Sequence, residues 1–79
     1  MPRKRIKIPG TKDYVEVSEI NDYIETHKNF KNLPLGQLKG ILSDIQAEIA
    51  ASGDDTDYAN RLKAALRAVK NIIDTKEQP

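Results

Sequence analysis

Few side chains in this 79-residue chain have the types and spacing that catalysis requires. His27 is the single histidine and there is no cysteine, so the one side chain that ordinarily titrates near neutral pH stands alone. It falls near the end of a predicted helix, where the helix dipole favours a protonated imidazole. No Ser, Asp or Glu is spaced from it as in a known catalytic motif. We therefore expect no catalytic residue and no enzymatic activity.

Acidic residues occur in two groups that bear on metal binding. Asp44 and Glu48 are four residues apart and fit the polar face of a helix. Asp54, Asp55 and Asp57 form a short acidic run, but the glycine and the terminal glutamate of a calcium-binding loop are missing, so we interpret the run as helix capping. A zinc site is excluded by the lack of cysteine and of further histidines. The sequence predicts no metal site and no cofactor.

Basic residues form the first candidate binding site. Those of the predicted last helix recur at spacings that place them on one strip, and others cluster at the N-terminus. The candidate contacts for nucleic acid or another anion are Arg3, Lys4, Arg5, Lys7, Lys63, Arg67 and Lys70. Against this hypothesis, Asp74 closes the strip, and neither glutamine nor an aromatic residue interleaves the basic residues to contact bases. Such a strip is more often the solvent-exposed face of a helix than a binding site for phosphate groups.

The least ordinary feature is a stripe of small residues within a predicted helix over 34–52. It comprises Gly36, Gly40, Ser43, Ala47 and Ala51, with Ala50 beside it. At about 100° per residue it falls opposite an apolar stripe of Leu35, Leu38, Leu42, Ile45 and Ile49. Each glycine costs about 1 kcal/mol relative to alanine in a helix interior, and small residues let another backbone approach closely. We expect this face to be covered, either by another element of the same chain or by a second protein.

The elements that position these residues follow from hydrophobic periodicity. Residues 6–17 alternate as a β-hairpin around a turn-rich centre, with Ile6, Ile8, Val15 and Val17 on its buried face. Residues 18–27 form a short helix capped by Ser18, with Ile20, Tyr23 and Ile24 on one face. Phe30 and Leu33 are predicted to fold back onto the core.

The second half of the chain predicts an antiparallel αα-hairpin. A helix over 34–52 ends at Gly53, and a helix over 55–75 begins within the capping residues 54–56. The apolar seam of the last helix is Tyr58, Leu62, Ala65, Val69 and Ile72, widened by Leu66 and Ile73. The short connection forces the two helices to lie side by side. The predicted fold is therefore mainly α: a flexible basic arm over 1–5, then one domain over 6–79 in which the β-hairpin and short helix precede the αα-hairpin.

Size and charge narrow the function classes. A chain this short buries only a small core, so domains of this size often gain further stability from a disulfide, a metal ion or a partner subunit. Because the sequence predicts neither a disulfide nor a metal site, oligomerisation is the remaining source. Net charge is +1, with five basic residues and no acid in the first twelve. No segment is apolar enough to span a membrane or act as a secretory signal, so a cytoplasmic location is expected.

The leading hypothesis is a small non-enzymatic protein-interaction module, such as an adaptor, regulator or inhibitor, that binds a partner through a helical surface as a homodimer. Accessory proteins of phages and mobile elements are often of this size. The alternative is a nucleic-acid-binding regulator that uses the basic arm and the basic strip. A helix-turn-helix within the first half is disfavoured because the linker before Pro34 is too long. A weaker alternative is an oligomer that binds an anionic small ligand between subunits.

Overall fold

The computed structural model describes residues 4–8, 12–53 and 56–78. It confirms the predicted mainly α fold with an N-terminal β-hairpin. In chain order, the elements are β1 (Arg5–Lys7), β2 (Tyr14–Glu16), α1 (Ile20–Thr26), α2 (Leu35–Ser52) and α3 (Thr56–Glu77). Two 3-10 turns join them: the Val17 turn (Val17–Glu19) and the Phe30 turn (Lys28–Asn32). Within the described residues, no helix is long and apolar enough to cross a membrane.

An antiparallel pair of long helices, α2 and α3, forms the frame of the molecule. The chain reverses at Gly53, whose φ of 66° and ψ of −129° lie in a region that glycine alone adopts readily. At the far end of the pair, Lys39 Nζ lies 3.0 Å from Glu77 Oε1, which places the start of α2 beside the end of α3. The capping residues predicted at 54 and 55 lie outside the described part of the chain.

The core face of α2 differs from the predicted stripe. Leu38 and Ile45 are buried as expected, but the third buried residue is Ile41, which the stripe omitted. Leu35, Leu42 and Ile49 are only partly buried. The reason is that the Val17 turn packs on α2 as well as on α3. The inward face of α2 is therefore set by two neighbours and is rotated toward Ile41.

The seam of α3 follows the prediction with one exchange. The buried residues are Tyr58, Leu62, Ala65, Val69 and Ile73. Ile72, which was predicted in the seam with Ile73 at its margin, is only partly buried and lines the edge of α3 beside α1. The Val17 turn and α1 also pack on α3. This helix is therefore covered by α2 and by these two N-terminal elements.

The β-hairpin begins earlier than predicted. Ile6 pairs with Val15 in an antiparallel register, and Ile6, Ile8 and Val17 are buried as expected. Arg5 already lies in β1, and the backbone N–H of Val17 donates to the carbonyl of Lys4 at 3.3 Å. The prediction of a flexible arm through residue 5 is therefore wrong for these two residues, because backbone pairing continues past the apolar pattern. Residues 1–3 lie outside the described chain.

The predicted helix over 18–27 divides into two parts. Burial of Val17 fixes a tight 3-10 turn, and α1 starts only at Ile20, with Glu19 rather than Ser18 at the N-cap position. The cap predicted at Ser18 is therefore wrong. Phe30 is buried in the turn that follows α1, and Leu33 is partly buried against the core, as expected.

Candidate interaction surface

The predicted stripe of small residues forms the outward side of α2. We call it the outer face of α2; it consists of Gly36, Gly40, Ser43, Ala47, Ala50 and Ala51. All six are exposed. A Cβ atom built on Gly36 or Gly40 would meet nothing within 4 Å. No described element of the same chain covers this face, so the intramolecular alternative is wrong for the described residues.

The outer face of α2 also lacks charge. Lys39 and Asp44, which lie on either side of it around the helix, are both drawn to other elements. Lys39 binds Glu77 of α3, and Asp44 Oδ1 lies 3.4 Å from the Nζ of Lys4 beside β1. What remains between these two ion pairs is a flat strip of glycine, serine and alanine, which is unusual for the solvated side of a helix.

The two glycines carry an energetic cost that no contact within the described chain offsets. Glycine in a helix interior is about 1 kcal/mol less favourable than alanine. Packing within the chain would explain Gly36 and Gly40 if a neighbouring backbone approached them, but the space beside both is open. The described part of the chain therefore makes no use of the missing side chains at these two positions.

The basic strip of α3 is exposed throughout. Lys63, Arg67 and Lys70 form no ion pair with any described residue, and Asp74 follows them in the same row. The strip lies on the exposed side of α3, away from its buried seam.

The two basic groups lie on different elements. Lys4, Arg5 and Lys7 lie in or beside β1, whereas the strip lies on α3. Lys4 is bound to Asp44, and Arg5 lies opposite Glu16 in the strand register. Arg3 lies outside the described residues. The joint surface of arm and strip therefore stays a prediction.

His27 packs against an aromatic side chain. Its ring stacks on Tyr23 with centroids 4.0 Å apart and planes 9° from parallel, and Tyr23 meets Phe30 edge-on at 5.9 Å. Sequence reasoning did not foresee this trio, although the spacing of four residues between Tyr23 and His27 within a helical segment was a usable signal. The described residues contain no group of three His, Cys, Asp or Glu side chains placed to hold a metal ion.

A groove of about 330 Å³ lies between the end of α1 and the last turns of α3. Its walls come from residues more than forty positions apart, from Ile24 and Lys31 to Ile72 and Lys76. Sequence reasoning missed it, because only the packing of α1 on α3 brings these residues together.

Comparison of the chain with protein-family models, with curated proteins and with solved structures finds no match.

Proposed function

We propose that this chain is a small non-enzymatic protein-interaction module that associates through the outer face of α2, with a second copy of itself as the first partner. The observation that carries the proposal is the exposure of Gly36 and Gly40 within a strip that has neither charge nor bulk. Helices that meet through small residues bring their backbones close and gain dispersion contacts along their length.

A self-complementary interface suits this strip. A twofold dimer places the same patch of both subunits in contact, so the patch must not repel itself. The outer face of α2 meets this requirement, because its residues are uncharged and its nearest charges, Lys39 and Asp44, are engaged within the subunit.

Two matched substitutions test the proposal. Ala47 lies on the outer face of α2, and Ala64 lies on the exposed side of α3; both are exposed helical alanines. Replacing either with leucine leaves helix propensity nearly unchanged. Sedimentation velocity over a range of concentrations should show the parent and Ala64→Leu associating alike, whereas Ala47→Leu should dissociate at least about tenfold more readily, since a side chain then separates the two backbones. A monomeric parent at all concentrations would refute the homodimer.

Nucleic-acid binding through the basic strip is the competing function, and Arg67 is its central residue. A labelled DNA duplex titrated at several salt concentrations provides the test. Binding that weakens steeply with salt and is lost in Arg67→Ala, but is unchanged in Ala47→Leu, would favour the competing function.

A further inference from the structure

The groove between α1 and α3 has an apolar floor and a cationic rim. We call it the α1–α3 groove. Ile24 of α1 and Ala68 and Ile72 of α3 form its floor, and all three are only partly buried. Lys31 of the Phe30 turn and Lys76 in the last turn of α3 form its rim. The groove therefore has an apolar part, which includes the partly exposed side chains of Ile24 and Ile72, and a positive part formed by the two lysines.

The two lysines of the rim line the same groove, and its described lining residues include no acid. Lys31 and Lys76 form no ion pair with any residue in the described part of the chain, and no carboxylate lines the groove. Glu77, the acid next to Lys76 in sequence, is bound to Lys39 on the other side of α3. Two like charges brought to one rim repel each other, and an anion placed between them relieves that repulsion.

The order of residues along α3 fixes the direction of a ligand. Ala68, Ile72 and Lys76 are spaced by four residues and form one row along the helix, about 12 Å long at 1.5 Å per residue. Ala68 and Ile72 lie nearer the centre of α3, and the ammonium group of Lys76 lies at the C-terminal end of the helix. The hydroxyl of Thr75 already donates to the carbonyl of Asn71 at 2.9 Å. The cationic side chains that line the groove are those of Lys31 and Lys76.

We infer that the α1–α3 groove binds an aliphatic carboxylate of medium chain length, with the chain on Ile24, Ala68 and Ile72 and the carboxylate between Lys31 and Lys76. The volume of about 330 Å³ lies at the lower end of small-molecule sites and suits one short chain. The carbonyl end of α3 disfavours an anion, so the two lysines have to offset that effect, and each is expected to contribute to binding.

The test uses the full chain labelled with nitrogen-15 and four probes followed by amide chemical shifts. Octanoate carries both chain and carboxylate, acetate has only the carboxylate, octan-1-ol has only the chain, and octylammonium reverses the charge. Octanoate should shift the amides of α1, the Phe30 turn and the last turns of α3 in a saturable way. Acetate and octylammonium should leave these amides unchanged, and octan-1-ol should bind more weakly than octanoate.

Three lysine variants separate the groove from general surface charge. Lys31→Gln and Lys76→Gln should each weaken octanoate binding by about three- to fivefold, as expected for a solvent-exposed ion pair. Lys63→Gln removes a lysine from the outward side of α3 and should bind like the parent. All three positions are exposed, and the amide spectrum itself reports whether the fold is retained.

The inference is independent of the proposed dimer, because the groove and the outer face of α2 lie on different helices. Ala47→Leu should therefore bind octanoate like the parent, even where it no longer associates. Equal binding of octanoate and octylammonium, shifts that map away from the groove, or an unchanged affinity in both Lys31→Gln and Lys76→Gln would each overturn the inference.

Discussion

Lys4 and Asp44 lie 3.4 Å apart, Nζ to Oδ1, although forty residues separate them in the chain. The contact ties the residue before β1 to the middle of α2. It accompanies the backbone hydrogen bond from the N–H of Val17 to the carbonyl of Lys4 at 3.3 Å. The start of the described chain is thus held both by its side chain and by its backbone.

These two contacts give different predictions for a substitution and a deletion. Lys4→Ala should change the free energy of unfolding by no more than about 1 kcal/mol, because both side chains are partly exposed, at 38% and 45%. Removing residues 1–5 should cost clearly more, because it also deletes the backbone partner of Val17 and the strand residue opposite Glu16. Urea unfolding of both variants measures the difference. A deletion variant as stable as the parent would show that the contacts of Lys4 and Arg5 contribute nothing to stability.

Two leucines of α3 provide a matched test of the core. Leu62 is fully buried, whereas Leu66, one turn later, is only partly buried. Leu62→Ala should cost about 2–5 kcal/mol, a large share of the stability of so small a domain, and Leu66→Ala should cost clearly less. Thermal melts followed by circular dichroism give the order. The reverse order would mean that α3 is rotated about its axis relative to the arrangement described.

Two glycines should respond with opposite sign to the same substitution. Gly40 has helical surroundings and open space, so Gly40→Ala should stabilise the folded chain by up to about 1 kcal/mol. Gly53 has a φ of 66°, so Gly53→Ala should destabilise it by at least about 1 kcal/mol. Unfolding at a low protein concentration isolates these effects from association. A destabilised Gly40→Ala there would place a neighbour beside α2 that the structure lacks.

The long helices and most of their buried residues could be predicted from sequence, because periodicity depends only on the helix repeat. Leu38, Ile45, Leu62 and Val69 follow from that pattern alone. Ile41 does not, because its burial depends on where the Val17 turn packs. The boundaries near residue 18 were wrong for a related reason: Ser18 has the right type for a cap, but burial of the preceding residue sets the turn.

The two candidate surfaces also differ in whether the sequence could predict them. The outer face of α2 was predictable as a stripe, since one helix contains all of it, but its exposure depended on the placement of the hairpin. The α1–α3 groove was not predictable, because Lys31 and Lys76 belong to elements whose contact no local pattern encodes. A site on one helix can be recognised from spacing, whereas a site between elements requires the packing to be known.

The aromatic trio at the end of α1 gives the last prediction. Phe30 is 2% exposed and packs edge-on against Tyr23. The ring of His27 is exposed and stacks on Tyr23. Phe30→Ala should therefore cost about 3–5 kcal/mol through loss of buried area. His27→Ala should cost less than about 1 kcal/mol, because an exposed stack gains little from burial. Chemical denaturation, with the amide spectrum of each variant as a control for the fold, measures both. Similar costs for the two substitutions would mean that the Phe30 turn is not part of the cooperative core.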